Sequence, residues 1–386
     1  MDAKAGARER LNAARDELIA LSHRIHANPE LGFEEERAAR WLAEGLAGAG
    51  FTIEAGVCDL PTAFIARAGS GPLHVAICAE YDCLPGIGHA CGHNMIAAIA
   101  VGAGLAAARV ADEVGLTVSV IGTPAEEGGG GKILLLERGA FAGVHAAMMV
   151  HPAPLDVVEP PILALSQFEV RYTGKEAHAS AFPEYGVNAA DALTIAQTAI
   201  GLLRQHIRTT DRVHGIVTKG GDAPNVVPAD TIARYIARAR SLAELEEIRA
   251  KVVRCFEAGA LATGSTLAIT EDHPRYAEMR HDAALATCYR RNAEVLGRAF
   301  PDLGSVLERA AGSTDMGNVS LALPSIHPAI GIASLPAVNH QPEFAAHCVT
   351  AIADQAVIDG ALALAWTAID AATDSAVRER LLRAAR

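Results

Sequence analysis

The run MIAAIAVGAGLAAA, from Met95 to Ala108, carries no charged residue. A membrane span needs about 20 residues of this kind, so the run is too short to cross a bilayer and predicts a helix buried in a protein core. Short β-branched runs stand around it at 64–69 (FIARAG), 73–78 (LHVAIC), 116–122 (LTVSVIG) and 145–150 (HAAMMV). Helical stretches at 35–48, 93–110 and 131–139 separate or flank them. Buried strands alternating with helices predict a mixed or parallel sheet covered on both faces, an α/β fold. In the N-terminal segment Leu11, Ala14, Leu18, Leu21 and Ile25 recur at helical spacing, which predicts one amphipathic surface helix. Its charges are spread throughout, so it does not read as a secretory signal.

The order changes after the proline-rich stretch PAPLDVVEPP at 152–161. A strand at 165–174, a helix at 187–208 and a strand at 213–219 are expected, followed by a strand at 230–239, a helix at 241–262 and a strand at 265–271. That β-α-β-β-α-β order is the split βαβ, or ferredoxin-like, unit. A helix at 282–299, a strand at 328–334 and a final helix at 349–372 return to the first pattern. The expectation is a discontinuous first domain, 1–162 and 274–386, with residues 163–273 inserted as a second. A length of 386 residues suits two domains.

A hydrophobic share of 51% with 20% charged residues excludes a disordered chain, and a net charge of −12 gives no basic footprint for nucleic acid. No membrane association is expected. Seven cysteines, an odd count without a CxxC pair, suit reduced thiols and a cytoplasmic protein.

The chemistry concentrates in a few segments. YDCLPGIGHACGHNM, residues 81–95, brings Asp82, Cys83, His89, Cys91 and His93 to the mouth of the apolar helix. In a turn at Gly92, Cys91 and His93 can converge on one divalent ion. The positive N-terminal end of the following helix is expected to lower the Cys91 thiol pKa; the alternative is simple packing. GTPAEEGGGGK, 122–132, ends a strand in adjacent carboxylates, Glu126 and Glu127, which repel each other unless cations lie near. One could bind metal while the other takes a proton; otherwise the segment is a solvated loop. It is no phosphate loop, because Glu126 stands where a glycine is required and Ile133 follows Lys132. His151 is placed at the end of the 145–150 strand, and His340 after a distant strand and loop. Cys91, His93, Glu127, His151 and His340 together supply the number of donors that two ions about 3.5–4 Å apart require. There is neither a GxSxG elbow nor the HxE…PCxxC signature of a zinc deaminase.

The segments IHANPELGFEEERAA (25–39), EYDCLPGIGHACGHN (80–94), TPAEEGGGGK (123–132), MVHP (149–152) and GKEAHAS (174–180) resemble those of the dinuclear-metal amidohydrolases. So do GGDAPNVVPAD (220–230), GSTDMGNVSLALPSIHP (312–328) and NHQPEF (339–344). That family holds aminoacylases, carboxypeptidases, desuccinylases and indoleacetyl-amino-acid hydrolases. The HACGHN and STDMGNVS wording is most similar to the branch of p-aminobenzoyl-glutamate hydrolase and β-alanyl-lysine-type dipeptidases. The resemblance implies a zinc-exopeptidase-like mixed sheet flanked by helices, with the insertion as an α+β lid and dimerisation domain.

By the same resemblance Cys91, His93, Glu127, His151 and His340 are metal ligands, Glu126 is the general base, and Asp82 orients a ligand. His178 falls on the lid histidine that reaches the partner subunit's site. Asn225, Thr314, Asp315 and Asn318 fall on substrate-contacting positions, and His327 either lines the pocket or packs. Glu80 stands where other branches have a histidine ligand, and Asn94 where many relatives have Asp, so their roles stay open. The implied cofactors are two zinc or manganese ions, with cobalt an option. The implied activity is hydrolysis of the amide bond of an N-acyl amino acid or dipeptide by a homodimer. The alternatives are a cysteine hydrolase using Cys91 with His93 or His151, and a catalytically silent metal-dependent binding protein. The first leaves Glu126, Glu127 and His340 unexplained. The second does not require the retained Glu126.

Overall fold

Residues 2–304 and 311–384 are described by the computed structural model. The N-terminal stretch forms two helices, α1 (Ala3–Ala13) and α2 (Arg15–His26), instead of the single one expected. The break lies at Ala14, with φ −100° and ψ 1°. It allows Leu11 and Leu18 both to reach Gly102 in the apolar run, where any Cβ would meet their methyl groups at 3.1 and 2.9 Å. Helix α3 (Glu36–Gly48) and strands β1 (Thr52–Ala55), β2 (Phe64–Ala68) and β3 (Leu73–Ala79) follow. The apolar run becomes α4 (His93–Ala108), buried throughout except at its last residue.

Next come the single turn α5 (Ala111–Val114), β4 (Leu116–Gly122), α6 (Gly131–Glu137), β5 (Ala146–Met148) and β6 (His151–Ala153). The expected strand at 145–150 is therefore shortened to β5, and β6 begins beyond it. Beyond Met148 the chain changes partners, and the His151 N–H donates to the Pro328 carbonyl at 2.9 Å. His151 consequently opens a second short strand where the sequence suggested the end of the first.

The first unit comprises Met1–Pro161 and Met279–Arg386, and the second Ile162–Glu278. The second contains β7 (Ala164–Thr173), α7 (Ala189–Leu203), β8 (Arg212–Lys219), β9 (Asp230–Ala239), α8 (Leu242–Thr263) and β10 (Thr266–Glu271). Its antiparallel sheet has the order β10-β7-β9-β8, the ferredoxin-like arrangement. Alternate residues of β7 and β9, among them Phe168, Val170, Ala233 and Tyr235, join α7 and α8 in one core. The unit runs to Glu278 and not to 273, because Tyr276 and Leu165 exchange backbone hydrogen bonds at 2.9 and 3.0 Å.

The chain re-enters the first unit with α9 (Ala283–Val295), α10 (Met316–Ala322), β11 (Ser325–Ile326), β12 (Ala329–Gly331), α11 (Pro342–His347), α12 (Ala351–Thr373) and α13 (Ser375–Ala384). Helix α9 stops short of the expected 299. Among the described residues the main sheet has the order β1-β2-β4-β3-β5-β11, with β4, β3, β5 and β11 mutually parallel. β12 pairs with β6. Helix α12 is long and apolar enough to span a membrane, but nearly all of it from Ala353 to Ala372 is buried inside this unit. There it packs against α4, Gly102 again admitting Ala361.

Candidate active site

In open α/β sheets, ligand sites form beyond the carboxyl ends of parallel strands. Ala79 and Gly122 are register partners at the ends of β3 and β4. The segments that carry Glu80, Asp82, Glu126 and Glu127 therefore leave the sheet side by side. Gly92 has φ +82°, and a Cβ there would meet the Pro152 ring at 2.6 Å. This glycine makes the turn from Cys91 to His93 and lets the His151 segment approach it. The His340 N–H donates to the Ala90 carbonyl at 2.8 Å, which ties a segment some 250 positions away to the same turn. His340 (φ +69°) and Ala125 (φ +55°), next to Glu126, both occupy left-handed backbone that non-glycine residues rarely adopt.

These elements bring donor atoms together in three trios: Cys91, His93 and His151; Cys91, Glu127 and His340; and Glu80, His93 and Glu126. Within each trio the atoms lie no more than 4.8 Å apart. Cys91 belongs to two of them and His93 to two. His93 Nδ1 lies 2.9 Å from Asp82 Oδ1, which turns Nε2 inward, 3.4 Å from Glu80 Oε2 and 3.8 Å from Glu127 Oε1. His151 Nδ1–H donates to the Pro152 carbonyl at 2.8 Å, leaving Nε2 facing Cys91 Sγ at 3.4 Å. His340 Nε2 lies 3.6 Å from Glu127 Oε2. Each imidazole is thus oriented with one nitrogen toward the cluster, the usual arrangement of metal-binding histidines. His93 Nε2 and Glu127 Oε1 are buried without a hydrogen-bond partner in the protein. Buried polar atoms of that kind call for a partner, and a mixed sulfur, nitrogen and oxygen set fits a divalent ion.

The electrostatics give the same picture. Burial, then the Glu80 and Glu127 carboxylates, push Glu126 well above the usual range, and burial raises Glu127 as well. The site holds a surplus of negative charge that cations would relieve. Burial brings His151 down to about 4, keeping it neutral. The Cys91 thiol departs from expectation. Burial and the Glu127 carboxylate push it well up, outweighing His93.

The sequence reading left Lys132 without a role. The side chain is fully buried, as are Glu80 and Asp315. Its Nζ contacts Glu80 Oε1 and donates to Asp315 Oδ1 at 2.7 Å, while its backbone N–H donates to Asp315 Oδ2 at 2.8 Å. Burial works against the ammonium, but Asp315 and Glu80 more than offset it and hold the lysine above its ordinary range. Asp315, expected at the substrate, has both oxygens engaged with Lys132, and Glu80 joins this cation to His93. The available signal was arithmetic: five acids, Glu80, Asp82, Glu126, Glu127 and Asp315, need a compensating cation nearby. Thr314 is buried and accepts from the Met316 N–H at 3.2 Å, whereas Asn318 is half-buried in α10. His327 is also buried, its ring 5.5 Å from that of His151, with both nitrogens lacking a partner in the protein.

In the second unit, His178 and Asn225 come side by side: His178 bridges to Val226, and the Ala179 N–H donates to the Asn225 carbonyl at 3.0 Å. Both residues are exposed. His178 Nδ1 accepts from the Ser180 and Ala181 N–H groups at 3.3 and 3.2 Å, which leaves Nε2 as its donor.

The model of peptidase family M20/M25/M40 matches residues 76–358. The Xaa-Arg dipeptidase of Mus musculus is 39% identical over 382 residues, covering 95% of this chain and 88% of its own. One of the polypeptides of p-aminobenzoyl-glutamate hydrolase from Escherichia coli (strain K12) is 35% identical over 278 residues, 67% of this chain and 58% of its own. Among solved structures, a dinuclear metal binding peptidase of the M20 family from Bacillus subtilis shares the fold, with a TM-score of 0.64 and 22% identity over 91% of this chain and 98% of that one. The chain belongs to the peptidase family M20/M25/M40 and is a metal-dependent amide hydrolase.

Proposed function

We propose that the protein hydrolyses the amide bond of a dipeptide or N-acyl amino acid, with Cys91, His93, Glu127, His151 and His340 holding two divalent ions. The observation that carries this reading is that Cys91 is common to two donor trios while Glu126 shares a third with His93. The donor set suits zinc or manganese, with cobalt an option. When bound, such ions would polarise the scissile carbonyl and make a water acidic enough to lose a proton near pH 7. Asp82 holds His93 with Nε2 turned inward. Glu126 takes the proton of the attacking water and returns it to the leaving amine. His178, presenting Nε2–H, serves the second subunit's site and holds the developing oxyanion; losing one such donor costs roughly 100- to 1,000-fold in rate.

The homodimer in this reading is supported by β8, an edge strand whose Ile216 and Val217 side chains are exposed. A cytoplasmic location belongs to the same reading, in keeping with seven free cysteines. The cysteine-nucleophile reading is disfavoured, since Cys91 is buried and its thiol is pushed up.

The test strips the protein of metal, refills it with zinc, manganese or cobalt, and assays dipeptides ending in arginine or lysine alongside p-aminobenzoyl-glutamate and N-acetyl amino acids. Glu126→Gln should keep its metal and lose turnover, and Cys91→Ala should lose metal. A fully active Glu126→Gln protein would remove the base assignment.

A further inference from the structure

One buried carboxylate beside the site has no part in the chemistry above. Glu35 is fully inaccessible and belongs to none of the donor trios. Its Oε1 accepts the Ala125 backbone N–H at 2.8 Å, and its Oε2 accepts the Thr62 hydroxyl at 2.9 Å. Thr62 is itself anchored, its carbonyl accepting the hydroxyl of buried Tyr81 at 2.6 Å. Ala125 immediately precedes Glu126 and has φ +55°. A left-handed conformation is disfavoured for alanine and persists only where its surroundings leave no alternative. Here they do. The Ala125 carbonyl accepts the Gly129 N–H at 3.0 Å, and the Glu127 N–H donates to Asp82 Oδ2 at 2.9 Å. Any Cβ on Gly32 or Gly129 would meet the Ala125 methyl at 2.8 or 2.6 Å, so close packing hems this residue in. Two carboxylates thus grip the peptide N–H groups on either side of Glu126.

We propose that Glu35 is a positioning residue for the general base: by holding the Ala125 N–H it keeps residue 125 left-handed and fixes the direction in which Glu126 leaves the backbone. The proposal rests on the reading of Glu126 as the base. Without Glu35 the Ala125 N–H is a buried donor with no acceptor, and the backbone gains by rotating out of positive φ, which swings the Glu126 carboxylate. Misplacing a catalytic group by about 1 Å can cost on the order of 100-fold in rate, and the loss belongs in kcat because substrate contacts are untouched.

The experiment compares Glu35→Ala, Glu35→Asp and Glu35→Gln in the metal-loaded full-length protein, measuring kcat, KM, bound metal and a crystal structure of the alanine variant. Glu35→Ala should lose roughly 100-fold in kcat, with KM within about 3-fold and metal content unchanged, and should show residue 125 at negative φ. Glu35→Gln retains an acceptor oxygen for the Ala125 N–H and should recover kcat to within about 5-fold. Glu35→Asp is too short to span Thr62 and Ala125, and carries the test if the alanine variant does not fold; it should resemble that variant in kcat. The proposal is overturned if a folded, metal-filled alanine or aspartate variant keeps its kcat, or if the glutamine variant falls as far as they do. Glu126→Gln separates the two layers. If it is inactive while Glu35→Ala is fully active, only the positioning role fails; if it is active, the reading of the base fails first.

Discussion

Lys132→Met strands two carboxylates in the interior. With the lysine present, a charge pair at 2.7 Å, the Lys132–Asp315 separation, attracts by about 6 kcal/mol at an effective dielectric of about 20. Desolvation costs several kcal/mol per ion, so the intact group adds little net stability. Methionine fills most of the same volume but leaves Glu80 and Asp315 fully buried with no cation between them. Removing one member of a buried pair typically costs about 3–5 kcal/mol, and that is the loss expected here. The double variant Lys132→Met with Asp315→Asn removes one stranded charge and should be more stable than Lys132→Met alone by at least about 1 kcal/mol. Urea unfolding at pH 7.5 with saturating metal gives both numbers from the midpoints, provided the slopes stay equal. Should Lys132→Met cost under about 1 kcal/mol, or should the two substitutions simply add, the ammonium is not what balances these acids.

Asp82→Asn should weaken metal affinity by roughly 10- to 100-fold, since an amide cannot accept from both His93 Nδ1–H and the Glu127 N–H as the carboxylate does; chelator competition measures it, and unchanged affinity would refute the orienting role. Burial, and then Asp82, raise Glu35 from 4.5 to about 7. Its folded-state pKa exceeds the unfolded one, so its contribution to stability is full below about pH 4.5 and is lost as pH rises through about 7. Relative to the parent, Glu35→Gln should therefore gain on the order of 3 kcal/mol between pH 5 and pH 8, and parallel urea midpoints across that range would contradict this. If His178 serves the second subunit, mixing inactive His178→Ala and Glu126→Gln proteins should restore part of the activity. No recovery in a verified mixed dimer would place His178 in its own subunit's chemistry or outside it.

Much of the architecture follows from patterns carried by near neighbours. The uncharged run after Asn94 gives α4, the β-branched runs give β2, β3 and β4 within a residue or two of their ends, and the residues between 164 and 271 order themselves as a ferredoxin-like unit. The same holds for the donors. Cys91 and His93 on a glycine turn, Glu126 and Glu127 beyond a strand, and His151 after another are residue types legible one segment at a time, and the structure brings them together with His340. Periodicity and residue chemistry are local properties, so both can be read along the chain.

What tertiary structure alone decided is the pairing of polar groups contributed by distant segments. Lys132 had no role until Asp315, 183 positions away, and Glu80 closed around it. Glu35 looked like no more than the start of a helix until its carboxylate met the Ala125 N–H, 90 positions away. The kink at Ala14, the second strand opened by His151 and the raised Cys91 thiol share that origin. Each is set by packing, burial or a charge arriving from elsewhere in the fold, and Coulombic and desolvation energies depend on separation in space, which spacing along the chain does not encode.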